Sequence, residues 1–155
     1  MRYFFDTSAL VKFYHEEEGT ETVTALILNM GTEIFISELA RLEFVSALQR
    51  KQREGELAVT RLEESVKIFN ADLERFKIIP LNKAVVKQAE KLLMEEGASV
   101  SLRTLDALQL AIFVLIEGED KVLVTADSRQ EEAARNLQAE IINPSSQNGS
   151  GLELK

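Results

Sequence analysis

The sequence predicts an α/β fold: a three-layer α/β/α sandwich on a central, mainly parallel sheet of five strands. Short apolar segments alternate with longer helical segments, and this order is typical of a parallel sheet flanked by helices on both sides. The 155 residues suffice for one domain that buries about two-thirds of its unfolded surface. Hydrophobic content of 45% and charged content of 28% are those of an ordinary globular protein.

Strands are predicted where apolar, β-branched or aromatic residues form short runs bounded by turn residues. These runs lie at 2–5, 33–37, 76–79, 121–125 and 139–142. Helices are predicted where apolar residues recur at a period of 3.6 residues. They cover 9–14, 20–30, 38–53, 56–74, 83–95, 104–116 and a segment that begins at Asp127.

Several helix ends carry capping residues. Ser37 is the predicted N-cap of the third helix and Asn82 that of the fifth, and Gly55 separates the third helix from the fourth. The third and fourth helices are longer than a simple crossover requires, so we expect them to form an arm that packs against something else. The domain is expected to span 1–143, and the Ser-, Asn- and Gly-rich segment 144–155 to be a disordered tail.

The formal net charge of −8 argues against a basic nucleic-acid-binding surface, and therefore against a DNA-binding regulator. It leaves open an enzyme that meets phosphates through bound divalent cations, since such ions reverse the local charge. The absence of cysteine excludes disulfides, thiolate metal sites and cysteine nucleophiles. No apolar run is long enough to cross a membrane and no signal-peptide pattern opens the chain, so we expect a cytoplasmic protein.

Two carboxylates follow predicted strands. Asp6 comes directly after the first strand, and Asp127 comes two residues after Thr125, at the end of the fourth. Because ligands bind at the carboxyl ends of strands in open α/β sheets, an acid at either place indicates chemistry. The alternative is that each acid caps the helix that follows it, and Asp127 with Gln130 also fits a capping box.

Two further acids lie on helices. Apolar residues stand four before, one before and four after Glu43, which places it within or beside an apolar face where an unpaired charge is costly. The alternative is an ion pair with Arg50 or Lys51. Asp106 and Gln109 are nearly the only polar side chains of a helix that is apolar almost all round and therefore expected to be buried. The alternative for Asp106 is that it complements the helix dipole.

A shared cavity would account for all four acids at once. Carboxylates about 5 Å apart repel by roughly 3 kcal/mol per pair at an effective dielectric of about 20, so a cluster either raises some pKa values or binds a divalent cation. Oxygen ligands without His or Cys favour Mg²⁺ or Mn²⁺ over zinc. The single histidine, His15, lies among glutamates and is expected to be a solvated surface residue.

Four short motifs also resemble those of a known family. They are FFDTSAL at 4–10, LEF at 42–44, LDALQLA at 105–111 and VTAD at 124–127. In order and spacing they resemble the acidic motifs of PIN-domain ribonucleases, and most closely those of VapC-like toxins of type II toxin–antitoxin pairs. The resemblance extends to about Asn143. It implies a PIN-like sandwich, cleavage of RNA that depends on Mg²⁺ or Mn²⁺, a homodimer, and a cognate antitoxin that blocks the groove.

The resemblance also implies roles for single residues. By position, Asp6 and Asp106 would be direct metal ligands, and Glu43 and Asp127 would complete the acidic pocket directly or through water. Thr125, like Thr7, matches a small hydroxyl position that would orient ligands or water. Family members often carry a further acid or aromatic residue after the fourth motif, whereas 128–130 here is Ser-Arg-Gln, which leaves open whether one or two metals bind. Six basic residues are expected near the groove or on the arm, with ordinary surface charge as the alternative: Lys12, Arg41, Arg50, Lys51, Arg53 and Arg103.

Other function classes remain open. A receiver-like, Mg²⁺-binding phosphate switch would have adjacent acids after the first strand and a lysine that ends a late strand, but Asp6 is followed by hydroxyls and Lys121 precedes its strand. A haloacid-dehalogenase-type phosphatase would have an acid at Ser8. A catalytically silent PIN-like binding module would keep the fold without the activity. Metal-dependent RNA cleavage, compared between wild type and Asp6→Asn, distinguishes these classes.

Overall fold

The computed structural model describes residues 1–97 and 99–146. Its strands are β1 (Arg2–Phe5), β2 (Glu33–Ser37), β3 (Lys77–Ile79), β4 (Lys121–Val124) and β5 (Glu140–Ile142). Its α-helices are α1 (Thr7–Tyr14), α2 (Thr20–Leu28), α3 (Ala40–Arg53), α4 (Val59–Asp72), α5 (Lys83–Glu96), α6 (Thr104–Leu115) and α7 (Ser128–Asn136). A short 3₁₀ turn, Leu73–Arg75, follows α4. The strands form one sheet in the order β3-β2-β1-β4-β5, and each neighbouring pair is parallel.

The central strand β1 is apolar on both faces of the sheet. Tyr3 and Phe5 belong to a hydrophobic core formed with α1–α4, whereas Phe4 belongs to a second core formed with α5–α7. Successive side chains of a strand point to opposite faces, so a continuous aromatic run can fill both cores. Two cores on opposite faces of one parallel sheet confirm the predicted α/β/α sandwich.

Helices α3 and α4 pack on the core of their own domain. Phe44 of α3 and Phe69 of α4 are both buried and stack with ring centroids 4.2 Å apart. The ring of Tyr14 packs edge-on against both of them. The helix pair is therefore part of the domain and not a separate arm, because its inner faces complete the α1–α4 core. Packing of its outer faces against a partner stays a prediction.

Some predicted helix ends are confirmed and others are not. Asn82 is the N-cap of α5, where its side chain accepts from the backbone N–H of Val85 at 3.1 Å. Gly55 follows α3 in the left-handed conformation, with φ of 79°. Ser37 is not an N-cap: Leu39 holds that position, and the Ser37 hydroxyl accepts from the Leu39 N–H at 3.0 Å within an intervening turn. Helix α4 begins three residues later than predicted.

The first residues of the predicted tail contact the start of α2. Pro144 is buried, and a Cβ atom added to Gly19 would lie only 2.7 Å from its carbonyl oxygen. Gly19 also has φ of 93°, a left-handed conformation. Glycine is therefore required at position 19 both by the lack of space for a side chain and by the backbone conformation. Residues 147–155 of the predicted tail lie outside the described residues, and the domain boundary at 143 stays a prediction. Among the helices of the described ranges, none is both long and apolar enough to cross a membrane.

We expect Phe69→Ala to lower the free energy of unfolding by about 3–5 kcal/mol, because it removes a buried ring from the aromatic stack. The matched control is Ile68→Ala on the same helix, where the side chain is 47% exposed and the loss should be about 0.5 kcal/mol or less. Urea unfolding of both variants measures the difference. Equal losses would contradict the proposed packing of α4.

Candidate active site

The carboxyl ends of β1 and β4 bring two of the predicted site residues together. Phe5 pairs with Val124 in the sheet, and the backbone N–H of Asp6 donates to the Val124 carbonyl at 3.0 Å. The hydroxyl of Thr125 donates to Asp6 Oδ2 at 3.1 Å and accepts from the backbone N–H of Asp127 at the same distance. Thr125 is buried and lies behind the acids, so it links the ends of the two strands.

A cavity of about 440 Å³ opens at this edge of the sheet. All four predicted acids line it, and Thr125 does not, because it lies beneath Asp6. The other lining residues come from α1, from α3 and its N-terminal turn, and from the start of α6: Thr7, Ser8, Leu39, Leu42, Ser46, Ala47, Arg50, Arg53 and Leu105.

Asp6 is the most buried of the four acids, with only 5% of its surface exposed. Its Oδ2 accepts from the hydroxyls of Ser8 and Thr125. Burial raises the pKa of Asp6 to about 6, the two hydroxyl groups oppose this rise, and the negative charges of Glu43 and Asp127 add to it. Within the described chain, no basic side chain forms an ion pair with Asp6.

Glu43 is half-buried and held by two donors on different helices. The Thr7 hydroxyl and the Gln109 amide each donate to Glu43 Oε2 at 2.7 Å. Burial raises the pKa of Glu43, although these two hydrogen bonds oppose the rise. The alternative that Glu43 pairs with Arg50 or Lys51 is wrong, because neither is within ion-pair distance of it and Lys51 pairs with acids elsewhere.

The apolar face expected around Glu43 is also displaced. Leu42, which belongs to that expected face, is 72% exposed, and the buried residues of α3 are Ala40, Phe44 and Leu48. The stripe that faces the core is therefore centred on Phe44, and Glu43 lies at its edge. This position lets the carboxylate reach the cavity while the helix packs beside it.

Asp106 and Asp127 both accept hydrogen bonds from backbone N–H groups at helix N-termini. Capping was the alternative stated for Asp127, whereas the alternative for Asp106 was that it complements the helix dipole. Asp106 lies in the first turn of α6, is half-buried, and its Oδ2 accepts from the backbone N–H of Arg103 at 3.1 Å. Burial raises the pKa of Asp106, and Asp127 adds to the rise. Asp127 is the N-cap of α7 and accepts from two backbone N–H groups through Oδ1. The predicted capping box is absent, because Gln130 Oε1 is buried without a partner among the described residues.

All four acids share one bonding pattern. In each, every hydrogen bond from the described residues goes to a single oxygen, and the second oxygen accepts none. The bonded atoms are Asp6 Oδ2, Glu43 Oε2, Asp106 Oδ2 and Asp127 Oδ1. The capping roles and a role in the cavity are therefore compatible, because the cap uses only half of each carboxylate.

The donor set fits a hard divalent cation in its chemistry. It consists of carboxylate oxygens, which suit Mg²⁺ or Mn²⁺, and three of the four groups have pKa values raised by burial, as expected of charges that lack a counterion. Within residues 1–97 and 99–146, no three acidic or histidine side chains come close enough together to hold one ion directly. Because Mg²⁺ usually keeps several waters, contacts through water to some of these acids fit this spacing. His15 is partly exposed and does not line the cavity.

The structure separates the six predicted basic residues into groups. Arg50 and Arg53 line the cavity, are exposed, and form no ion pair with any described residue. Lys12 and Lys51 instead pair with Glu17 at 3.0 and 2.5 Å. The remaining two, Arg41 and Arg103, are exposed and lie outside the lining.

The comparison with family models decides the assignment. The PIN domain model matches residues 3–136, which is most of the chain and includes all four acids. The chain belongs to the PIN domain family. This confirms the family that the motifs indicated, and it excludes the receiver-like and haloacid-dehalogenase alternatives. The position of Lys121 also argues against a receiver-like domain, which would have a lysine at the carboxyl end of a late strand. Lys121 lies at the amino end of β4, and its ammonium donates to the carbonyls of Val114 and Ile116 at the end of α6.

Several solved structures have a similar fold. VapBC2 from Rickettsia felis, bound to a DNA fragment from its promoter, is 18% identical with a TM-score of 0.65, over 92% of this chain and 98% of that chain. A toxin–antitoxin complex from Klebsiella pneumoniae is 15% identical with a TM-score of 0.62, over 92% and 97%. FitAcB from Neisseria gonorrhoeae is 15% identical with a TM-score of 0.64, also over 92% and 97%. At these identities the similarity shows the PIN fold alone. No curated protein matches this PIN domain in sequence.

Sequence reasoning assigned no function to two residues of this PIN domain site. Ser8 bridges the two strand ends, since its hydroxyl contacts Asp6 and accepts from the Ala126 N–H at 3.0 Å. Gln109 holds Glu43 across two helices. The sequence did mark Gln109 as unusual, because it is a polar residue in an almost entirely apolar helix. Its partner Glu43 is 66 positions away, and only the fold brings the two residues together.

Asp6→Asn should stabilise the metal-free protein at pH 7. The pKa of Asp6 is about 6 in the folded state, above its ordinary value of 3.8, so the folded protein binds this proton more tightly than the unfolded chain does. The free energy of unfolding of the wild type therefore falls as pH rises from about 4 to about 6. Above about pH 6, the full loss of stability caused by the buried charge of Asp6 is present. At about 1.4 kcal/mol per pKa unit, the variant should gain on the order of 2 to 3 kcal/mol at pH 7 and little at pH 4.

Urea unfolding in excess chelator at both pH values measures this gain. A variant that is no more stable than the wild type at pH 7 would contradict the proposed burial of an unpaired charge at Asp6. A gain of equal size at both pH values would show that the effect does not come from the titration of Asp6.

Proposed function

We propose that this PIN domain protein is a divalent-metal-dependent ribonuclease and the toxin of a toxin–antitoxin pair. The observation that carries the proposal is the cavity at the carboxyl ends of β1 and β4, where four carboxylates each leave one oxygen without a hydrogen bond and none has a basic partner among the described residues. Burying several like charges is costly unless a cation offsets them. Membership of the PIN family supports the same function.

The four acids would hold Mg²⁺ or Mn²⁺. Asp6 and Asp106 would be direct ligands, and Glu43 and Asp127 would contribute directly or through water. A bound divalent cation lowers the pKa of a water molecule and screens charge on the phosphate. Thr125 contributes by holding Asp6 Oδ2, which leaves Oδ1 for the cation, and serves as a positioning residue.

RNA binding to a protein of net charge −8 requires a local basic surface. Arg50 and Arg53 provide it, because they line the same cavity as the acids and no described acid neutralises them. Glu43, Arg50 and Arg53 share one face of α3, since their spacings of seven and three residues correspond to about two turns and one turn. A phosphodiester chain that follows this face would have a phosphate over the acids and others beside the arginines.

The partners proposed are a cognate antitoxin, an RNA substrate and a second copy of the chain, in the cytoplasm. The toxin–antitoxin complex of the same fold from Klebsiella pneumoniae supports an antitoxin. A catalytically silent PIN-like module is the competing function. The retention of all four acids, each with an unused oxygen, favours the enzyme, and an RNA cleavage assay decides between them.

Asp106→Asn should lower Mg²⁺-dependent RNA cleavage by about 100-fold or more, because it removes a negative ligand from the site. The fold should be retained, since an asparagine oxygen can still accept from the Arg103 N–H and the variant buries no charge. The assay compares purified, antitoxin-free wild type and variant, with circular dichroism to check the fold. Full activity of the variant, or equal wild-type activity in excess chelator, would refute the mechanism.

Arg50→Gln combined with Arg53→Gln should raise KM for RNA. The slope of log KM against the logarithm of the salt concentration should fall by about 1.4, the value for two phosphate contacts on a single strand. The control is Arg61→Gln combined with Arg135→Gln, which removes the same charge from exposed arginines that pair with neighbouring glutamates. Steady-state kinetics over a range of salt concentrations measures both. If the control pair changes KM as much, net charge and not the cavity arginines governs binding.

A further inference from the structure

Gln109 is a buried amide on a helix of the α5–α7 core. It lies on α6, one turn after Asp106, and only 1% of its surface is exposed. The helix around it is apolar, with Ala107, Leu110 and Ala111 also buried. A polar side chain in such a position calls for a physical reason, because burying an amide is costly unless both of its ends find partners.

Only one end of this amide is satisfied. The Nε2 group donates to Glu43 Oε2 at 2.7 Å, whereas Oε1 is buried and accepts from no described residue. Stability alone therefore does not explain a glutamine here, since an apolar residue of similar size would avoid the unpaired oxygen. The reverse orientation of the amide would set its oxygen against a carboxylate oxygen. The contact with Glu43 is thus the one interaction that accounts for Gln109.

This contact restricts where the Glu43 carboxylate can lie. Thr7 from α1 and Gln109 from α6 donate to the same oxygen, so two helices hold one atom of a residue on a third. A carboxylate with one oxygen held by two donors has a restricted orientation, and its other oxygen, Oε1, is the one left for a ligand. Glu43 lines the cavity together with the other three acids.

We propose that Gln109 is the positioning residue of the site: by holding Glu43 Oε2 it orients Oε1 toward the cavity and thereby sets the affinity for the divalent cation. This inference rests on the proposed metal-dependent function. Partners that orient metal ligands typically change metal affinity by about 10–100-fold when they are removed.

The test uses Gln109→Leu and Gln109→Met, which keep the approximate volume and remove the donor. The matched control is Gln130→Leu, which removes an equally buried amide, also with an unpaired Oε1, from the neighbouring helix α7. It keeps the backbone N–H of residue 130 that donates to Asp127 Oδ1. Mn²⁺ binding is measured by the loss of the free-ion signal in electron paramagnetic resonance. Thermal unfolding of the metal-free proteins, and RNA cleavage over a range of Mg²⁺ concentrations, are measured alongside.

Both Gln109 variants should bind Mn²⁺ about 10-fold more weakly or worse, and should need correspondingly more Mg²⁺ for half-maximal cleavage. They should unfold cooperatively at a temperature near that of the wild type, and Gln130→Leu should keep wild-type Mn²⁺ affinity. Wild-type Mn²⁺ affinity in either folded Gln109 variant, or an equal loss in Gln130→Leu, would overturn the inference alone. A wild type that neither binds Mn²⁺ nor cleaves RNA would overturn the proposed function with it.

Discussion

The constraint on which the site depends is the cost of placing several negative charges where water is scarce. Asp6 lies almost fully buried at the carboxyl end of β1, beside β4, and burial together with neighbouring acids raises its pKa to about 6. Hydroxyl, amide and backbone donors reduce this cost, but they reach one oxygen of each carboxylate only. A bound cation would offset the electrostatic cost that these donors leave. The buried carboxylates that destabilise the metal-free protein would therefore favour metal binding.

The fold provides this arrangement with few specialised parts. Parallel pairing of β1 with β4 brings Asp6 next to Thr125, and the helices that follow these strands need N-terminal caps in any case. A capping carboxylate uses one oxygen for the helix and keeps the other. Capping by Asp127, which the sequence presented as the alternative to ligand binding, is therefore compatible with the proposed role of Asp127 in the cavity.

The sequence was informative where the signal is local. The alternation of strands and helices and the acids at 6 and 127 follow from short patterns. Glu43 and Asp106 stand out as acids on apolar helix segments, and the family motifs include them. It was misleading where rotation of a helix matters: Leu42 and Phe44 are both apolar, and only stacking on Phe69 determines that Phe44 faces inward. Contacts such as that of Gln109 with Glu43 could not be predicted, because no local pattern relates two residues on separate helices.

Helix α3 carries both kinds of charge that the proposed RNA-cleaving site would need. Glu43 near its start and Arg53 at its end are ten residues apart, about 15 Å along the axis, and both line the cavity. Lys51 lies on another face of the helix and pairs with Glu17, whereas Arg50 and Arg53 line the cavity and form no ion pair with any described residue. The net charge of −8 is therefore a poor guide to the charge at the cavity, since Arg50 and Arg53 line it although the whole chain is acidic.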